Sequence, residues 1–241
     1  MHDAKFSLKR TARLAGLLGL IMGIPLPFSL LYVPKKLFAP GDAAATAHNI
    51  LSHESLFQAA IAGHLFAATV FLFLVLVLYQ LFKPVNAYWA RMMVALVVVQ
   101  VPISFLIETL NISALMLLKG DILTDATPSQ LQDWAMLLVR TGRYGITVQQ
   151  LFWGLWLIPY GLLVYQSHFI PRLFGILLLI NGAGYLLETF TFLLGQKSNH
   201  EFIRQCTFVT YFGEAAIMLW YLIKGVKETR LNLATTREGA G

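Results

Sequence analysis

A single cysteine, Cys206, is all the thiol chemistry in this chain of 241 residues. That excludes an intrachain disulfide framework, a CxxC redox pair and a CxxCH haem attachment; a small buried apolar residue is the ordinary role for it. Charge is scarce as well, at 12% of residues, against about 25% in soluble domains. No HExxH, GxSxG or P-loop is present, so a zinc protease, an α/β-hydrolase or an ATPase has no support. The paired deep histidines of a two-haem membrane cytochrome are also missing, because His48, His53, His168 and His200 fall in loops or at helix ends. The net charge of +6 comes from basic residues scattered over many short segments. Nucleic acid, which needs a basic stripe with interleaved aromatics, is not the partner they indicate.

What fills the chain is apolar: 57% hydrophobic residues and a mean hydropathy of +0.67. Apolar runs of about 20 residues recur between short polar segments, the pattern of a polytopic helical protein in a lipid bilayer and not of a barrel with alternating ten-residue strands. The fold class expected is all-α, a membrane bundle of six transmembrane helices. Its spans run from about Leu14 to Val33, Leu56 to Phe82, Tyr88 to Leu118, Tyr144 to Gln166, Leu173 to Leu194 and Phe202 to Ile223. Residues 1–230 form one domain on this reading, and 231–241 are a disordered tail.

Local signals refine the picture. The basic N-terminus followed by an apolar run resembles a signal peptide, but that run exceeds the 7–15 residues of an h-region, so an uncleaved first span is expected. Pro25 and Pro27 should kink or break this span, since each removes a backbone donor. Pro40-Gly41-Asp42 marks a turn, with Ala43 to Leu51 a short interfacial helix. Lys83-Pro84-Val85-Asn86 and Lys119-Gly120-Asp121 are stops, and Thr127-Pro128-Ser129 is a helix start. Gln130 to Val139 is amphipathic, lying on the membrane surface or extending span four outward. Gln196 to Glu201 is the last external loop.

Six spans place both termini on one side, and that side takes eleven of the 18 Lys and Arg residues. The positive-inside rule makes it cytoplasmic, in a plasma (inner) membrane. Orientation converts intramembrane polar residues into depths, because a helix rises about 1.5 Å per residue. Glu108 and Glu188 lie about one turn outward of mid-span and Glu214 near the centre of its span. His64, Gln149 and Gln150 fall in outer halves, all within a slab of roughly 10–15 Å. The half-helices Val70 to Leu78 and Leu155 to Leu163 are apolar, so a cavity open outward and sealed toward the cytoplasm is expected.

A carboxylate at mid-membrane costs roughly 2.5–3.5 kcal/mol, which makes the three glutamates the first functional candidates. Arg140 and Arg143 are the nearest basic residues. Gln100, Asn111 and Asn181 have the ordinary role of interhelical glue, although Asn181 shares span five with Glu188 and joins the candidate site. The three glutamates with His64 could hold a divalent ion, but no two of them stand at i, i+3 or i+4. No motif names a cofactor. Ala62-Gly63-His64-Leu65 is echoed by Ala183-Gly184-Tyr185-Leu186, a short likeness of the kind inverted repeats leave.

Several stretches together resemble a bacterial multi-spanning family known only as a domain of unknown function, DUF4386. They are Leu8-Lys9-Arg10-Thr11-Ala12-Arg13-Leu14-Ala15-Gly16, Pro40-Gly41-Asp42-Ala43-Ala44-Ala45-Thr46, Lys83-Pro84-Val85-Asn86, Phe169-Ile170-Pro171-Arg172-Leu173-Phe174-Gly175 and Gly213-Glu214-Ala215-Ala216. The resemblance covers about Leu8 to Lys227 and implies a helical membrane protein without an established activity. It includes Glu214 and an acid at Glu188. Where the family carries a basic residue early in span three and a histidine before span four, this chain has Val97 and Gly142.

The function expected is a small transporter or solute-binding protein whose protonatable glutamates face an outward cavity and take a small polar or cationic solute. The alternatives are an intramembrane enzyme acting on a lipid or amphipathic substrate, and a structural or signalling membrane protein. A homo-oligomer is compatible with each.

Overall fold

The computed structural model describes residues 8–195 and 211–226, and these are helical without a strand among them. The elements are α1 (Leu8–Gly23), α2 (Pro25–Pro27), a π-turn (Phe28–Tyr32), α3 (Val33–Leu37), α4 (Ala43–Ser52), α5 (Glu54–Phe82), α6 (Ala87–Lys119), α7 (Pro128–Ser167), α8 (Arg172–Leu193) and α9 (Tyr211–Ile223). Five stretches are long and apolar enough to cross a membrane: Leu8–Leu37, Glu54–Phe82, Ala87–Lys119, Pro128–Ser167 and Arg172–Leu193; a shorter apolar helix covers Gly213–Ile223. This fits a multi-pass membrane protein. The start of the expected sixth span, Cys206, the loop 196–201 and the tail 231–241 lie outside the described residues.

The prolines of the first span interrupt its α-helix without ending the apolar stretch: α1 stops at Gly23, Ile24 is a turn residue and helical residues resume at Pro25. Pro25 sits in the first turn of a short helical segment, where its missing N–H would have had no partner. A π-turn then widens the helix, with the Val33 N–H donating to the Phe28 carbonyl, and α3 continues to Leu37. The amphipathic stretch before span four proves to be continuous with it, since α7 runs unbroken for 40 residues. It opens on a reciprocal cap: the Gln130 side chain accepts from the Thr127 N–H at 2.9 Å, and the Thr127 hydroxyl accepts from the Gln130 N–H at 3.4 Å.

The chain gathers into two compact units. One comprises Ile21–Val70 and Gln100–Gln149. Its apolar core includes Val33, Leu37, Ile50, Phe57, Ala114 and Val139. Asp42 caps α4 by accepting from the Ala45 N–H at 2.8 Å, and Asn49 donates to the Leu37 carbonyl, which ties α4 to the end of α3. Gly63 has no side chain to obstruct Ser29: a Cβ there would stand 2.7 Å from the serine oxygen.

The other unit comprises Met1–Leu20, Phe71–Val99 and Gln150–Gly241. An aromatic cluster fills it, with Trp156 stacked on Tyr160 at 5.1 Å and Phe82 against both Tyr160 and Phe169 at 5.9 Å. The Tyr160 hydroxyl donates to that of Tyr221. Here α7 and α8 meet backbone to backbone at two places. A Cβ on Gly154 would lie 2.7 Å from the Gly182 carbonyl oxygen, and one on Gly161 would lie 2.9 Å from that of Gly175. The converse approaches are 2.9 and 2.8 Å. Both pairs recur seven residues apart, two turns of helix.

In both units large apolar side chains face outward, among them Phe66 and Leu106 in the first and Phe73 and Leu187 in the second. Large apolar side chains exposed on helices of this length fit lipid as the surrounding solvent.

Gly161→Val should destabilise the protein by about 1–3 kcal/mol through overpacking against backbone that cannot rotate away. Gly23→Ala, where an added Cβ meets nothing within 4 Å, should leave stability unchanged or slightly raised. Thermal unfolding in detergent checks both.

Candidate functional site

On α6 the polar residues Gln100, Ser104, Glu108 and Asn111 follow one another at intervals of four, four and three. At 100° per residue they fall within an arc of about 80°, a single stripe about 16 Å long. Gln100, Ser104 and Glu108 are buried. Toward the N-terminus the same register continues as Val97 and Met93, both fully buried, so the row is polar over one part of the helix only.

Each member meets another helix or its own neighbour. His64 Nδ1, from α5, lies 2.5 Å from Glu108 Oε1, and Asn111 donates to Glu108 Oε2 at 2.9 Å. Both carboxyl oxygens are therefore engaged. His64 and Glu108 are 2% and 4% exposed, so the pair is enclosed in protein and hardly screened. From α7, the Gln149 amide donates to Ser104 Oγ at 2.6 Å and to the Gln100 carbonyl at 3.3 Å. Gln100 Nε2 and Oε1 and Gln149 Oε1 are buried without a hydrogen-bond partner among the described residues. Such groups are ordinarily satisfied by water, so this part of the row is wettable.

Beside Glu108 opens a cavity with about 40 Å³ of space for the centres of water-sized molecules, lined by Ser29, Phe38, Phe57, Asn111, Arg143 and others. Since one water needs roughly 10–15 Å³ by that measure, it holds about three waters or a solute of that size.

The second unit carries its own carboxyl site. Asn181, Tyr185 and Glu188 lie on one face of α8, by their spacing of four and three. Asn181 donates to Glu214 Oε1 of α9 at 2.5 Å, and Tyr185 also hydrogen-bonds that carboxyl group. Asn181 and Glu188 are buried and Glu214 partly so. Gln150 belongs to this unit, and Gln149 to the other.

Of the expected site residues, the structure thus brings His64 to Glu108 and Asn181 to Glu214, each pair within its own unit, and sets Gln149 of α7 against the α6 row. Ser104, Asn111 and Tyr185 were not among the expected site residues. The α6 spacing pointed to the first two; Tyr185 holds the place of His64 in the short internal echo, and each of the two touches a glutamate of the following described helix. Among the described residues no three His, Cys, Asp or Glu side chains come together as a metal site.

A double-mutant cycle of His64→Gln and Glu108→Gln should return a coupling of about 1–3 kcal/mol in unfolding free energy, as expected of contacting residues. Additive single effects would mean that the two side chains do not interact.

Comparison with known proteins adds family membership. A curated relative from Archaeoglobus fulgidus, described as an uncharacterized protein, is 31% identical over 77 residues, which cover 32% of this chain and 44% of the relative. The chain therefore matches less than half the length of that relative. No solved structure matches. The profile of the domain of unknown function DUF4386 matches residues 14–225, and the protein belongs to that family.

Proposed function

We propose that this protein is a small proton-linked carrier or solute-binding protein of the plasma membrane, a single six-span domain with both termini cytoplasmic. The observation that carries the reading is the enclosed His64–Glu108 pair. Imidazole and carboxyl groups in direct hydrogen-bond contact hold one proton between them or release it, and in a medium of low dielectric that change alters the site by a full, poorly screened charge. The polar stripe of α6 extends from this pair through Ser104 to Gln100, a row along which bound water can relay a proton. Intramembrane ionisable residues that face an interior and pair with one another are the usual components of such paths.

Glu214, held by Asn181 and Tyr185, is the second protonation site of this reading, and Glu188 lies on the same face of α8 as those two partners. The excess of Lys and Arg on the side shared by both termini supports the orientation.

The test is proton flux into liposomes that contain the purified protein and a trapped pH-sensitive dye, driven by an imposed pH gradient. Glu108→Gln should lower flux at least tenfold, and Glu214→Gln should lower it as well. Flux in Glu108→Gln equal to that of the wild type would rule out the pair as the proton site.

A further inference from the structure

The cavity beside Glu108 contains two ionisable side chains in its lining, Glu108 and Arg143, and they are not each other's partner. Among the described residues the ion pairs are His64–Glu108 and Lys119–Glu54, and the oxygens of Glu108 are taken up by His64 and Asn111. The Arg143 guanidinium instead lies over the ring of Phe38, 5.5 Å from its centre. An aromatic face attracts the cation without using its N–H groups, so the planar fork of five donors stays available. Ser29, 6% exposed, lines the same cavity with a hydroxyl that has no hydrogen-bond partner among the described residues.

Free donors, one unneutralised cation and a volume of a few water molecules describe the requirements of a small acceptor-rich ligand. We infer that this cavity is an oxyanion site: Arg143 forks onto a carboxylate or phosphate group, Ser29 donates to it, and Leu30, Phe57 and Ile61 form the apolar wall for a short substituent. The inference deepens the proton-carrier reading and rests on it in one respect. When the His64–Glu108 pair holds its proton it is neutral, and Arg143 then leaves the cavity with a net positive charge; when the proton departs, the two charges cancel. A proton and a small anion are therefore favoured together. The same oxyanion chemistry is present in a free small acid and in an anionic lipid headgroup, and the cavity's size selects the former.

The experiment uses the purified full chain in a neutral detergent and measures thermal unfolding in formate, acetate or inorganic phosphate against equal concentrations of chloride. A second arm adds phosphatidylglycerol or phosphatidylcholine micelles without free anion. At least one small oxyanion should raise the midpoint by several degrees over chloride. Arg143→Gln should abolish that rise, and Arg143→Lys, which keeps charge but loses the fork, should weaken apparent affinity about tenfold. Glu108→Gln, which stays neutral and leaves Arg143 in place, should retain the anion effect while losing proton flux, so the two readings fail separately. A rise of equal size in wild type and Arg143→Gln would overturn the inference, as would no rise over chloride. An Arg143-dependent rise with phosphatidylglycerol alone would overturn the small-solute assignment in favour of a lipid headgroup.

Discussion

A carboxyl group enclosed by apolar helices must find its hydrogen-bond donors inside the protein, because lipid offers none. This requirement explains more of the architecture than any packing preference. Glu108 finds its hydrogen-bond partners on α5 and on its own helix; Glu214 finds its partners on α8. Each donor must come from a helix held at a fixed distance, so the glutamates specify which helices meet and at which level. Leaving such a group unsatisfied costs several kcal/mol in the hydrocarbon region. The apolar contacts, by contrast, are nearly interchangeable with lipid contacts and carry less information about register.

Helix limits were mostly legible in the residues. Asn86, in the stop after the second span, accepts from the N–H groups of Tyr88 and Trp89 and so starts α6. Thr127 and Gln130 announce α7, and Gly120, at φ +74°, ends α6 where the Lys-Gly-Asp signal put it. These features depend on atoms a few residues apart, which is why a sequence displays them. The proline pair disturbs the first span's α-helix, as its residues indicate, but the form of the disturbance is not legible in them. Proline removes one donor and one direction of approach, but a helix that widens by a residue absorbs the loss, and nothing local distinguishes a break from a π-turn.

The candidate site was legible by type and not by pairing. Charged and amide residues in apolar spans advertised themselves, yet His64 and Glu108 are 44 residues apart, and only the folded chain sets them side by side. Ser104 was missed because a lone serine in a span carries little signal; it gains meaning as the residue between Gln100 and Glu108 at steps of four. The echo of Ala62-Gly63-His64-Leu65 in Ala183-Gly184-Tyr185-Leu186 has a physical counterpart: each motif sends its third residue to a glutamate of the following described helix, one through an imidazole and the other through a phenol.

The paired glycines of α7 and α8 set a limit of another sort. Where two main chains touch, the gap between helix axes is dictated by carbonyl and α-carbon dimensions, which no exchange of neighbouring side chains alters. The seam therefore behaves as a ruler. Residues around it are free to vary in bulk and shape, while the spacing of the two helices, and with it the height at which Asn181 and Tyr185 stand, stays as constant as the peptide unit itself.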